Sequence, residues 1–247
     1  MKSPRIYIDQ PLHDHATLTL TGEQANHLRV LRLRPGNPLV LFNGQGGEYP
    51  AQLLALERRQ AEVELGAHSP REAESPLDIT LLQGVSKGDR MDWTIQKAVE
   101  LGVSRIVPVF TARSVVQLAG DRLDKKAAHW AGVVLSACEQ CGRNRLPLLQ
   151  SPMPLAQALV AEARGLRCLL DPTGARRPSE LPAPAFWPEA GQLTLLVGPE
   201  GGLSDGEIRA ARDQDYLPLL LGPRVLRTET AGIAALAAFQ VLWGDLG

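Results

Sequence analysis

The chain has 247 residues, enough for one large core or two modest ones, with 44% hydrophobic and only 4% aromatic residues. Its formal charge of −1 excludes a molecule-wide basic field, so a nucleic-acid partner would have to be held by local patches. No apolar stretch reaches the roughly 18 uncharged residues that a membrane span needs, and Met1 to Arg5 runs into a strand pattern without a hydrophobic leader; together these predict a cytoplasmic protein with no membrane partner.

Over the first 66 positions, short runs alternate apolar and polar residues: Arg5–Ile8, Thr17–Leu20, Leu39–Phe42, Ala51–Leu54 and Ala61–Leu65. With the glycine-rich turn at Asn43–Gly47, this period of two predicts a small β-rich unit. One helix interrupts it, opening at Thr21 with Gln24 in capping-box position and carrying His27, Leu28 and Leu31. No acidic residue lies between Glu23 and Glu48, whereas Arg29, Arg32 and Arg34 all do. Such a basic exit either grips phosphate or is a solvated arginine run, and the pattern leaves both open. The polar, proline-bounded stretch His68–Pro76 reads as a linker, giving domains of residues 1–70 and 71–247.

Beyond it the period changes. Leu77–Leu82 reads as a strand, Met91–Leu101 as a helix with Met91, Ile95 and Val99 on one face, Ile106–Phe110 as a strand and Asp121–Cys141 as a long helix. Leu146–Leu149, the helix Leu155–Ala163 and the strand Leu169–Asp171 continue the alternation, which predicts a mostly parallel sheet covered by helices on both sides. A proline-rich loop spans 172–191. Two matched pieces follow, Leu193–Ile208 and Leu219–Ala231, each an apolar run, a Gly-Pro turn and a helix start. Ser204 with Glu207 makes a capping box, and Thr228 is the expected cap of an uncharged helix. Two adjacent strand–loop–helix corners would gather backbone N–H groups at the carboxyl ends of parallel strands, where open α/β sheets bind ligands.

Other chemistries have less support. Gly84-Val85-Ser86-Lys87-Gly88 matches the nucleophile elbow of α/β-hydrolases, but the one histidine after Ser86 is His129, inside a predicted helix. Cys138 and Cys141 form a C-x-x-C within the same helix, and with Cys168 they make neither a disulfide framework nor a zinc site, so unreactive helix thiols are expected, with a redox pair as the alternative. Neither a P-loop nor an H-E-x-x-H motif occurs.

Leu195–Ser204 (Leu-Leu-Val-Gly-Pro-Glu-Gly-Gly-Leu-Ser) and Leu221–Ala231 (Leu-Gly-Pro-Arg-Val-Leu-Arg-Thr-Glu-Thr-Ala) resemble the cofactor loops of SPOUT methyltransferases. More narrowly they resemble the RsmE family, as do Ser86–Met91, Gln96–Gly102, Cys138–Arg145, Pro4–Tyr7 and His27–Arg32. The resemblance implies methylation of N3 of a uridine in small-subunit (16S) ribosomal RNA. It also implies a homodimer, a PUA-like, β-barrel-like N-terminal domain for RNA, and an α/β domain tied in a trefoil knot. That domain would bind S-adenosylmethionine through Leu170, Val197, Gly198, Pro199, Glu200, Gly201, Leu221, Gly222, Leu226 and Thr230. Methyl transfer needs only in-line approach of a nucleophile, so no metal is expected. Because N3 of uridine carries a proton, Arg227, Arg143 and Arg145 are candidates to stabilise the anion on O2 and O4 or to hold phosphates, and Glu229 to take the proton. The alternative is plain Arg227–Glu229 or Arg143–Glu139 surface pairs. Arg5, Arg29, Arg32 and Arg34 are the expected RNA contacts. A SPOUT enzyme with another target, such as ribose 2′-oxygen in transfer RNA, and a non-catalytic assembly factor are the competing readings.

Overall fold

The computed structural model describes residues 3–114, 119–162, 164–174 and 176–247. The chain divides into two compact units, one of residues 1–74 with 138–146 and the other of residues 75–137 with 147–247.

The first unit holds β1 (Arg5–Tyr7), β2 (Thr17–Thr21), α1 (Gly22–Val30), β3 (Pro38–Phe42), β4 (Tyr49–Leu56) and β5 (Gln60–Leu65). They form one sheet in the order β1-β3-β4-β5-β2, antiparallel except for the parallel β1–β3 pair. Alternation is cleanest in β5, where Ala61, Val63 and Leu65 point into the core and Gln60, Glu62 and Glu64 face water. Ala25 and Leu28 bring α1 onto that core with Leu20, Leu41 and Leu53. Each fully buried leucine there contributes about 1.5–3 kcal/mol relative to exposure. The capping box expected at Thr21 does not form: Thr21 is the N-cap without a side-chain bond, and the Gln24 amide donates to the Tyr7 carbonyl oxygen at 3.4 Å.

Residues 138–146 belong with this unit because buried polar contacts tie them to it. Arg5, 8% exposed, donates to the Glu48 carboxylate, to Asn144 Oδ1 and to the Arg143 carbonyl. Asn144 donates to the Arg71 carbonyl at 2.6 Å, Arg143 Nε to Glu74 at 3.0 Å, and the Glu139 carboxylate accepts from the Tyr7 amide at 3.0 Å. Much of the presumed linker is therefore fastened down, with Ser69 bridged to Glu48 through paired backbone bonds.

The second unit runs β6 (Asp78–Gly84), α2 (Asp89–Glu100), β7 (Arg105–Phe110), α3 (Asp121–Cys141, its last turn in the first unit), β8 (Leu148–Leu149), β9 (Met153–Pro154), α4 (Leu155–Ala161), β10 (Leu166–Leu170), β11 (Gln192–Val197), α5 (Asp205–Arg212), β12 (Leu217–Leu219) and α6 (Thr228–Trp243). Ala163, the expected end of α4, lies outside the described residues. Every pairing is parallel, in the order β12-β10-β11-β6-β7-β8, with β9 also on β7. Central strands β6 and β11 are buried along nearly their whole length, which is why they read as continuous apolar runs. α2 packs on α6 and α4 on α5. Within the proline-rich stretch, two 3-10 turns at Pro178–Glu180 and Pro184–Phe186 deliver Trp187 into the interior, its indole N–H bonded to the Pro182 carbonyl. Among the described residues no helix is long and apolar enough to cross a membrane.

Candidate active site

The sequence reading set the two Gly-Pro corners on neighbouring strands. In the sheet β10 lies between β11 and β12, so the corners flank it, and their loops close over its carboxyl end. The result is a cavity of about 670 Å³. Leu170, Val197, Leu219, Leu221 and Leu226 supply apolar wall; Gly198, Pro199, Glu200 and Gly201 come from the first loop, and Arg224, Arg227 and Glu229 from the second. Gly222 turns the second loop at φ +87°, a conformation glycine adopts without side-chain strain. Neither Gly222 nor Thr230 lines the cavity.

One hydroxyl joins the two loops. Thr228, expected as a helix cap, is instead the first residue of α6, with Arg227 at the N-cap. Its Oγ1 donates to the Gly198 carbonyl at 2.5 Å and accepts from Gln83 Nε2 at 2.9 Å, and Gln83 is fully buried at the end of β6. Beside it, a Cβ on Gly84 would strike the backbone nitrogen of Pro199, so only glycine lets the first loop lie on β6. Arg113 clamps the same loop from the β7 side through the Gly201 and Leu203 carbonyls, at 3.2 and 3.3 Å. The Ser204–Glu207 capping box forms as expected, and Glu207 also accepts the Ala112 amide at 2.7 Å.

The charges are arranged around Arg90. Its guanidinium donates to Glu200 at 2.9 Å and stands 3.8 Å from Glu229, and the Lys87 amide donates to the same Glu200 oxygen at 3.0 Å. Burial alone would raise the Glu200 carboxyl, but the Lys87 amide and Arg90 outweigh it and hold it below the usual carboxylate range. The second oxygen of Glu229, Oε2, is buried without a hydrogen-bond partner among the described residues. Arg227 is exposed and makes no ion pair among the described residues, so the surface pair considered for Glu229 is made by Arg90 instead. Asp171, at the end of β10, is 5% exposed and is held by the Thr173 amide and hydroxyl at 2.8 and 2.7 Å.

Ser86 has no catalytic company. Its hydroxyl makes one long contact, 3.4 Å to the Gly84 carbonyl, while His129 bonds Asp92 at 2.6 Å, so no hydrolase triad exists among the described residues. Cys138 and Cys168 are buried free thiols pushed up to about 12 by desolvation. Among the described residues no cluster of three or more histidine, cysteine or acidic side chains is poised for a metal.

An RNA methyltransferase domain model matches residues 73–240, and an RNA methyltransferase PUA domain model matches residues 20–66. The ribosomal RNA small subunit methyltransferase E of Buchnera aphidicola subsp. Schizaphis graminum is 34% identical over 98% of both chains. The chain belongs to the RsmE family of RNA methyltransferases. Among solved structures, RsmE of Neisseria gonorrhoeae bound to S-adenosylmethionine is 39% identical over the full length of both chains with a TM-score of 0.91. A Legionella pneumophila methyltransferase in complex with bound SAM is also 39% identical over both full lengths, with a TM-score of 0.93. The fold is thus the SPOUT-type parallel sheet flanked by helices, with a PUA-like N-terminal sheet.

Within this RsmE chain, the remaining expected site residues lie in the N-terminal unit. Arg143, 4% exposed, pairs with Glu74, and Arg145 stands 3.6 Å from Glu72. Arg5 is turned inward and engaged on structure, as described above, a placement at odds with direct RNA contact. Arg29, Arg32 and Arg34 are exposed. The sequence reading gave Arg90, Arg113 and Asp171 no role at the cavity. Arg90 sat inside the quoted block Ser86–Met91; for the other two nothing local separates a loop-fastening side chain from a solvated one.

Proposed function

We propose that this protein is an S-adenosylmethionine-dependent methyltransferase of N3 of a uridine in 16S ribosomal RNA, working in the cytoplasm as a homodimer. In this reading residues 1–70 serve as the RNA-binding domain, and residues 71–247 form a methyltransferase domain threaded as a trefoil knot. The carrying observation is the single cavity shared by the two Gly-Pro loops and joined by Thr228. Full-length likeness to relatives named for this activity, and to two structures that hold the cofactor, supports the same reading.

The residues of the cavity suit such a ligand. Leu170, Val197, Leu221 and Leu226 offer an apolar slot for a purine. Glu200 offers a carboxylate already kept ionised, suited to ribose hydroxyls. The buried, unpartnered Glu229 Oε2 is an acceptor waiting for a donor. When bound, S-adenosylmethionine supplies an electrophilic methyl group, and the chain supplies position and charge. Glu229 takes the N3 proton, its acceptor oxygen free while Arg90 steadies the carboxylate. Arg227, exposed at the rim, donates to the uracil oxygens as negative charge develops on them. Arg145, on the N-terminal unit, holds a flanking phosphate, whereas Arg143 is buried against Glu74. α6, uncharged from Ala231 to Trp243, leaves Val241 and Leu242 exposed and provides apolar surface for a second copy.

Two measurements test this. Calorimetry is expected to give saturable S-adenosylmethionine binding, and mass spectrometry of 16S RNA from a strain lacking the gene is expected to lose one N3-methyluridine that the purified protein restores. An unchanged RNA, or no cofactor binding, would remove the proposal.

A further inference from the structure

The G-x-S-x-G loop is not a nucleophile elbow, yet it borders a second hollow of about 370 Å³. Ser86 and Gly88 form one side; Arg122, Lys125, Lys126 and Trp130 form the other. Ser86 is 4% exposed and its hydroxyl is underused. Gly88, at φ +67°, is the N-cap of the twelve-residue α2 and offers no side-chain cap, so the amides of the first turn stay open. Across the hollow, Asp92 fixes the floor: it accepts from Lys126 at 3.0 Å and from the Trp130 indole at 3.0 Å, and Lys126 lies over the Trp130 ring at 5.4 Å. Asp92 neutralises Lys126, whereas Arg122 and Lys125 make no ion pair among the described residues. Asp89, Asp121 and Asp124, on the same first turns, do not line the hollow.

We propose that this hollow binds a phosphodiester of the substrate RNA beside the methylated nucleotide, with Arg122 and Lys125 neutralising it and Ser86 and the first-turn amides of α2 donating to it. The inference rests on the reading of the α/β unit as an RNA methyltransferase. The same loop serves both hollows, since its Lys87 amide and Arg90 hold Glu200 in the larger cavity while Ser86 and Gly88 face the smaller one. A phosphate gripped here would therefore set the distance between the RNA backbone and the reacting base.

The test compares the full-length protein with Arg122→Ala/Lys125→Ala and with Arg209→Ala, a control cation exposed on α5 outside both hollows. Binding of a single-stranded oligoribonucleotide is followed against salt. Losing that one phosphate contact lowers the slope of log K against log salt by about 0.7 and weakens binding about fivefold at 0.1 M salt. On 16S RNA the double variant is expected to raise KM by a similar factor and to lower kcat through the looser backbone, with S-adenosylmethionine affinity unchanged. An unchanged slope, or an equal loss in Arg209→Ala, overturns the subsite. Wild-type protein that binds RNA on this slope but methylates nothing keeps the subsite and removes the activity instead.

Discussion

Thr228 ties the first loop and β6 to the start of α6 through one oxygen, donating to half-buried Gly198 and accepting from fully buried Gln83. Valine has the same shape and neither bonding capacity, so Thr228→Val leaves a half-buried carbonyl and a buried amide each short of a partner. Each such loss costs about 1–3 kcal/mol. Part of this appears as lower stability in urea denaturation. The rest appears at the cavity, because the Gly198 turn no longer has a fixed distance to the start of α6; S-adenosylmethionine binding is expected to weaken about tenfold or more by calorimetry. Wild-type affinity in this variant would mean that each loop holds its place alone. Arg5 shows the opposite fate of a polar side chain. Its N-terminal position and charge suggest an exposed contact, yet it lies under Glu48 and Asn144, where a cation is held only because several acceptors meet it.

Among the elements, α2 and α3 are joined by Asp92, which receives Lys126, His129 and Trp130 from α3. Burial pushes its carboxyl up, but the His129 and Lys126 bonds prevail and its pKa lies below the ordinary value. A folded-state pKa below the unfolded one means stabilisation that is complete above the unfolded value, about 3.9, and is lost as pH falls through the folded value. Asp92→Asn is therefore expected to cost about 1–3 kcal/mol at pH 7, with the gap to wild type narrowing as the pH falls below about 3.9, read from urea midpoints across that range. A gap that persists in acid would show that geometry, not charge, makes the joint. Elements of this kind were legible where their cause is local. Met91, Ile95 and Val99 do face one way and are fully buried, and the Ser204–Glu207 box needs only its own four residues. The box at Thr21 failed because Gln24 found a carbonyl 17 positions away, and the placement of β10 between β11 and β12 depends on strand pairing that no local pattern records. The cavity itself was foreseen from two loops, while Arg90 and Arg113, which hold them, act across 110 and 88 positions of sequence.

At the scale of the whole molecule, 26 basic residues against 27 acidic ones leave no net field to draw RNA in. Affinity must then come from places where cations stand free of carboxylates. Arg29, Arg32 and Arg34 are such a place: all three are exposed and none makes an ion pair among the described residues. Arg32 turns the chain at φ 55°, and Arg29 is steadied by the Arg58 carbonyl at 3.3 Å. If each meets one phosphate of a single strand, the triple alanine variant loses about 2 units of salt slope, with kcat unaffected at saturating RNA. An unchanged slope would make the run a solvated surface, the reading the sequence left open. Because Arg122 and Lys125 are proposed to share a phosphate distinct from those three, the two sets should add. A protein lacking all five cations is expected to lose about 2.8 units. A combined loss no larger than the greater single loss would mean that the two patches compete for the same phosphates, and that a neutral molecule offers its RNA one foothold rather than two.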